Sequence, residues 1–306
     1  MKKILLAVLS SVILLFSGCE ADTEEAEVLY TFTDSLNRTV EVRSFEKTAV
    51  ISGSLAEIWQ LAGGELYGVT DDAYDWNSLE LSANVKNYGN VQNTSVENMI
   101  ADAVDFVILS GAIANHVKLE EMLESAGITA AYFDVEDFEH YLSTLKICTE
   151  ITDRADLYIE NGENIRSKVE TAIQSAQGND APEILLMRAL STGMKAKGSD
   201  SMTGRMLADM GCVNIADSET SLLEELSLEA IVRADPDFIF ITTIGDSEAG
   251  VAVYEAELAS NPAWEELTAV KNGEVHILPK ELYHYKPNVR WNEAYENLAE
   301  ILYDEE

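Results

Sequence analysis

The chain is poor in positive charge. Its 20 lysines and arginines stand against 55 aspartates and glutamates, for a net charge of −35 over 306 residues. A surface of that sign repels a phosphate backbone, which excludes nucleic acid as a partner. The acids are spread without a long single-sign block and read as a solvated surface. Cysteine is nearly missing. Of the three, Cys148 and Cys212 lie in apolar segments, where two buried free thiols are expected rather than a disulfide. There is no Cys-x-x-Cys pair, and His116, His140, His276 and His284 are scattered. Neither a zinc site nor a bare-metal receptor is therefore expected, and no cofactor is called for. A Gly-x-Ser-x-Gly elbow is also absent. The best-placed serine, Ser54, stands in Ser52-Gly53-Ser54-Leu55-Ala56 without a His–Asp partner set by spacing, so no catalytic residue is expected.

Long apolar runs are lacking too. The most apolar stretch, residues 4–16, is too short to span a bilayer as a helix of ~20 residues. Lys2 and Lys3 precede it and Ser17-Gly18-Cys19 follows it, so residues 1–18 read as a secretory signal. A cysteine at the cleavage point resembles a bacterial lipobox, with Cys19 as the lipidated residue and Phe16 standing where leucine is commoner. Residues 19–29 are mostly polar and acidic and suit a flexible tether. The chain is expected outside the cytoplasm, held to the membrane through its N-terminal lipid only.

The whole chain is 47% hydrophobic, ample for one large or two medium cores. It says one phrase twice. Ser95-Val96-Glu97 opens a stretch that runs to Asp105-Phe106-Val107-Ile108-Leu109, and Ser227-Leu228-Glu229 opens one that runs to Asp237-Phe238-Ile239-Phe240-Ile241. Ser95 and Ser227, Glu97 and Glu229, Asp105 and Asp237, and Phe106 and Phe238 align at one fixed offset. Each copy reads as a short helix with an acid in its first turn, then a buried strand. Two copies so far apart point to two similar lobes rather than a solenoid, and to a ligand cleft between them.

The remaining pattern alternates strand and helix, which predicts α/β lobes with mostly parallel sheets covered on both faces. Residues 30–42 read as a hairpin around Asp34-Ser35-Leu36-Asn37-Arg38, with Asn37 in the left-handed turn position. A helical pattern over 138–178, with a kink expected at Asn161-Gly162, reads as a stiff connection. The predicted organisation is an N-terminal lobe over 30–137, a connecting helix over 138–178 and a C-terminal lobe over 179–306. Asn288 is expected to cap the last helix, and Thr94-x-x-Glu97 to form a capping box.

On several stretches taken together, the chain resembles the helical-backbone (class III) ABC-importer substrate-binding lipoproteins of the ferric siderophore, haem and vitamin B12 type. They are Thr33-Asp34-Ser35-Leu36-Asn37-Arg38-Thr39-Val40, Ser54-Leu55-Ala56-Glu57-Ile58-Trp59, Tyr67-Gly68-Val69-Thr70, both copies of the phrase, and Lys286-Pro287-Asn288-Val289-Arg290-Trp291. Asn37 replaces the usual hairpin glycine, and Ala103-Val104-Asp105 replaces the usual Lys-Pro-Asp. The resemblance implies two Rossmann-like lobes joined by one long α-helix. It also implies a monomeric receptor that passes a small-molecule metal chelate to an ABC permease and its ATPase. Glu97 and Glu229 match the positions that meet permease arginines.

Ligands of open α/β sheets sit at the carboxyl ends of the strands. That rule places Ser52-Gly53-Ser54, Tyr74, Trp76 and Ser110-Gly111 on one wall, and Arg188, Lys195, Tyr283-His284-Tyr285-Lys286 and Arg290 on the other. Cations among aromatics suit an anionic chelate with an apolar rim. The expected ligand-binding residues are Ser54, Trp76, Arg188, Tyr283, Tyr285 and Arg290, and a ferric siderophore is the expected ligand. Haem or cobalamin is the alternative within the resemblance, and haem would ask for an axial ligand from Tyr283, His284 or Tyr285. A lipid-anchored hydrolase is the alternative of another class.

Overall fold

The computed structural model describes residues 27–76 and 78–303. The signal segment, Cys19 and most of the tether lie outside the described residues. The opening hairpin pairs Tyr30–Thr33 with Thr39–Val42 antiparallel, and Asn37 turns it with φ 61°. Asp34 holds the turn on the first lobe. Its buried carboxylate accepts from the Leu36, Arg38 and Tyr132 amides and from the Arg38 guanidinium. Arg38 in turn lies over the Tyr132 ring and donates to Glu120.

The first lobe carries an all-parallel sheet ordered Lys86–Asn87, Gly68–Val69, Thr48–Val50, Phe106–Ser110, Thr129–Phe133. Gly68 is needed there because the Tyr88 ring lies where a β-carbon would stand. In the second lobe Glu183–Leu190 pairs parallel with Phe238–Thr243, which pairs parallel with Val275–Ile277. Along its other edge lie the short parallel strand Val213–Asn214 and the antiparallel strand Gly193–Ala196.

Alternation along the central strands feeds a core on each face. In the first lobe Val50, Phe106 and Ile108 point to one core and Ala49, Val107 and Leu109 to the other. In the second, Ile184, Leu186 and Phe240 oppose Leu185, Met187 and Ile239. One core is common to both lobes and includes Trp59, Phe138, Ile165, Val169, Phe240, Trp291 and Leu298.

The two copies of the phrase fold alike. Ser95 caps Val96–Ala101 and Ser227 caps Leu228–Ala234, each accepting from the amide three residues on. Ala103 and Asp235, at matching positions, both take positive φ, 54° and 47°. Asp105 then accepts from the Lys47 amide and Asp237 from the Glu183 amide, tying each strand to its neighbour's start. Each second-half strand lies between its lobe's first strand and its last. The cap of the first copy is Ser95, one residue later than the capping box expected from Thr94, whose hydroxyl donates to the Asn90 carbonyl instead.

The segment expected as one helical run over 138–178 is two antiparallel limbs. Phe138–Ile151 packs on the first lobe, and the chain reverses at residues 152–154, where Asp153 has φ 55°. The return limb runs from Ala155–Tyr158 through a wide π-type turn, Ile159–Glu163, into Asn164–Ala176. Arg166 pairs with Glu139, the Tyr141 hydroxyl donates to the Asn161 carbonyl, and Gly162 packs against Tyr158 and Leu142. The one long helix that joins the lobes is therefore the return limb. Apolar periodicity could not reveal the reversal, because both limbs keep the same period across residues 152–154. The return limb packs along the final helix, Trp291–Tyr303. Asn288 does not cap that helix. It is buried with φ 50°, and its amide donates to the Ser54 carbonyl and the Glu57 carboxylate of the first lobe.

Candidate ligand-binding cleft

The cleft lies between the carboxyl ends of the two sheets and consists of three adjoining hollows. The first, about 290 Å³, is lined by Glu136, Arg188, Lys197, Asp200, His284 and Lys286 among others. The middle one, about 220 Å³, brings Ser52, Ser54, Asp72, Asp75 and Trp76 against His284, Tyr285 and Lys286. The third, about 720 Å³, adds Glu57, Lys280, Glu281 and Arg290. His284 and Lys286 are common to the first two, and Tyr285 and Lys286 to the last two.

The second-lobe wall is rich in cations, and two of them, Arg188 and Lys286, have no ion-pair partner among the described residues. Arg188 continues the row of Ile184 and Leu186 along its strand, past the end of the apolar core. Among the described residues it has no hydrogen bond or ion pair, and its Nε is buried. Burial alone draws its guanidinium below the ordinary arginine range. Lys286 also lacks a hydrogen bond or ion pair among the described residues. Burial lowers its ammonium, against the pull of Asp134 and Glu136. His284 Nδ1 is buried without a partner. Burial first, then Arg188, Lys280 and Lys286, brings this imidazole down to about 4, so it is neutral at pH 7.

The first-lobe wall is acidic and aromatic. Asp72 accepts from the Gly53 amide at 2.7 Å and from the Thr70 hydroxyl at 2.6 Å, so the start of the helix Gly53–Leu61 already holds a carboxylate. Trp76 packs on Gly53, where a β-carbon would meet the indole, and faces Tyr285 across the cleft with ring centres 5.8 Å apart. Ser54 lines the middle hollow, with its hydroxyl 3.2 Å from that of Ser52.

Of the six expected binding residues, Ser54, Trp76, Arg188 and Tyr285 come together in the cleft. Arg290 reaches the third hollow, but its guanidinium forks onto Glu293, in the first turn of the final helix, at 2.6 and 2.7 Å. Tyr283 lines the first hollow, but its hydroxyl points into the core. It is fully buried, and its hydroxyl donates to the Ala294 carbonyl and meets Asn297. Its position at the foot of a one-turn helix, Lys280–Tyr283, turns it toward the core while His284 and Tyr285 turn out. Ser110 and Gly111 line none of the three hollows; the Ser110 amide donates to His116 and Gly111 packs on Ser35. Lys286 lies on the second-lobe wall with its segment, and Lys197 and Asp72 join the site without having been singled out. Lys197 could have been found, since Lys195 pairs with Arg188 on the returning strand Gly193–Ala196 and Lys197 directly follows that strand.

Among the described residues no group of three His, Cys, Asp or Glu is placed to hold a metal ion. Cys148 and Cys212 are free thiols, both pushed up to about 12 by burial. A separate hollow of about 360 Å³ lies at the connecting helix, but its charges are already paired, Arg166 with Glu139 and Arg205 with Asp137.

Glu97 and Glu229 are both exposed, and among the described residues neither has an ion-pair partner. Among the described residues no helix is long and apolar enough to cross a membrane.

Residues 49–282 match the family model described as periplasmic binding protein. An Fe(3+)-citrate-binding protein of Bacillus subtilis (strain 168), YfmC, is 31% identical over 93 residues; that match covers 30% of this chain and 28% of that protein. The chain thus spans under a third of this curated relative's length. The TroA-like periplasmic binding protein FepB from Veillonella parvula superposes with a TM-score of 0.70 at 16% identity, covering 89% of this chain and 90% of that one. Staphylococcus aureus SirA, solved in complex with staphyloferrin B, superposes with a TM-score of 0.66 at 15% identity, covering 90% and 97%.

Proposed function

We propose that this chain, which belongs to the periplasmic binding protein family, is the extracytoplasmic receptor of an ABC importer and captures an anionic ferric chelate in the interlobe cleft. The observation that carries this reading is the unpartnered cationic wall. In a chain with 55 acids and 20 bases, Arg188 and Lys286 stand half-buried in one hollow, the Arg188 Nε fully so, and neither has an ion-pair partner among the described residues. A buried charged donor left unmade costs about 1–3 kcal/mol or more, which an anionic ligand would offset. Trp76 and Tyr285 supply the apolar cover such a chelate needs on its other side. The likeness to an Fe(3+)-citrate-binding protein agrees with an anionic iron complex. The chain is a binding protein and not an enzyme.

Delivery follows from the same reading. Glu97 and Glu229 dock the receptor on permease arginines, one from each lobe, and the receptor works as a monomer with the permease and its ATPase as partners. Cys19 carries the lipid that keeps it at the membrane surface. Cys19→Ser should move the protein to the soluble fraction; retention of the cleaved mutant on membranes would refute the anchor.

Fluorescence titration with ferric citrate, with haem and cobalamin as comparison ligands, tests the site. Arg188→Ala should weaken the anionic complex by ~10- to 150-fold, the range for a hydrogen bond to a charged group. Arg188→Lys should recover only part, because a point charge cannot reproduce the fork. If the tight ligand is neutral and Arg188→Ala binds it like the unsubstituted protein, the anionic-chelate reading is wrong.

A further inference from the structure

Two exposed apolar side chains stand at corresponding places in the two lobes. Ile100 is 46% exposed and Val232 is 38% exposed. Each lies three residues after the exposed glutamate of its copy, Glu97 or Glu229, so the two side chains are neighbours on one helix face. The opposite faces already meet the needs of the core, through Val96 and Met99 in the first copy and Ala230 and Ile231 in the second.

A single exposed apolar residue is ordinary on a protein surface. Here the same position is apolar and uncovered in both copies, and in both it adjoins a carboxylate with no ion-pair partner among the described residues. The helices that carry these pairs begin at equivalent serine caps and end before equivalent left-handed residues, so each lobe holds its pair in the same local frame. A helix that returns to feed a parallel strand runs against it. The first turn of each helix therefore lies toward the carboxyl ends of the strands, the side on which the cleft opens.

We infer that Ile100 and Val232 are apolar anchors of the docking surface, and that the partner is a membrane permease with two like sites, each an apolar hollow beside a cation. This rests on the docking role of Glu97 and Glu229. The partner's cation follows from charge complementarity with those unpaired carboxylates, and its apolar hollow from the side chain that each lobe leaves uncovered. An exposed carboxylate alone is a weak, salt-screened contact. An apolar side chain beside it excludes water from the pair, so the charge governs approach and the apolar contact governs residence.

The test uses the full lipidated chain and a permease–ATPase complex in proteoliposomes that take up ferric citrate with the unsubstituted receptor. Ile100→Ser and Val232→Ser should each weaken docking by roughly 5- to 20-fold, mainly through faster dissociation. The double variant should weaken it by about the product, while ferric citrate affinity and melting temperature stay unchanged. Ile100→Val and Val232→Ile should restore most of the loss. The deficit of the serine variants should persist at 0.5 M salt, where the contribution of the glutamates is largely screened. A double serine variant that docks like the unsubstituted receptor overturns the inference. If Glu97→Arg with Glu229→Arg also docks normally, the docking reading beneath it falls as well; if that reversal abolishes docking, only the apolar anchors fall.

Discussion

At the scale of the residue, the cleft is defined by what its cations lack. Arg188 and Lys286 keep their charge in a place that burial disfavours, and His284 gives its charge up there. The groups around His284 explain the difference. Arg188 faces it from the sheet, Lys280 and Lys286 flank it on its own segment, and Asp72 and Asp75 of the first lobe stand across the middle hollow. Its imidazole is held at about 4, against ~6.5 for a free histidine. Between those values the unfolded chain binds a proton that the folded receptor refuses. Stability from this residue is thus fully present above about pH 6.5 and is lost as pH falls toward 4. His284→Asn should flatten that part of the profile, by up to about 3 kcal/mol if the whole shift is relieved. Denaturant unfolding of both proteins at pH 7 and pH 4.5 measures it. His116, also lowered by burial, acts the same way in both, so the comparison isolates His284. Equal losses in the two proteins would refute the assignment.

At the scale of the element, the repeated phrase is a backbone device as much as a pattern of side chains. A serine cap starts each helix, a left-handed residue ends it, and an aspartate fixes the strand that follows. Asp235 suits the left-handed position, since short polar side chains tolerate it, but Ala103 carries a β-carbon there with φ 54°. Ala103→Gly should therefore stabilise the fold by roughly 0.5–1 kcal/mol, seen as a rise of about 1–4 °C in melting temperature. A lower melting temperature would show that the strain is absent. The repeat and the hairpin were legible because period, caps and turn residues act locally. The helical reversal at residues 152–154 was not legible, because it depends on what the second limb packs against. The site divides along the same line. Arg188 could be placed from its strand end, and Trp76 from its loop. That Tyr283 turns inward while His284 and Tyr285 turn out depends on Ala294 and Asn297, more than ten residues away.

At the scale of the whole molecule, the lobes are held by more than their linker. One apolar core runs from Trp59 through the connecting limb to Leu298, so a wide opening would expose it. Polar contacts cross the junction at both sides. Asn288 reaches Ser54 and Glu57, and Arg205 of the second lobe bridges Glu136 and Asp137 at 3.0 and 2.9 Å. The connecting limb is a helix, and a helix cannot take up a large rotation over one or two residues as a flexible strand linker does. Its π-type turn at Ile159–Glu163 is braced by Tyr141 and by Leu61, whose carbonyl accepts from Asn161. Ligand capture should accordingly move side chains in the cleft and rotate the lobes only slightly. Small-angle scattering with and without ferric citrate should give radii of gyration that agree within about 1 Å. A contraction of several ångströms on binding would mean that the shared core opens in the free receptor. Substituting Arg205→Ala should enlarge the motion, since it removes a polar tie and leaves the core in place; if it does not, the core alone sets the angle between the lobes.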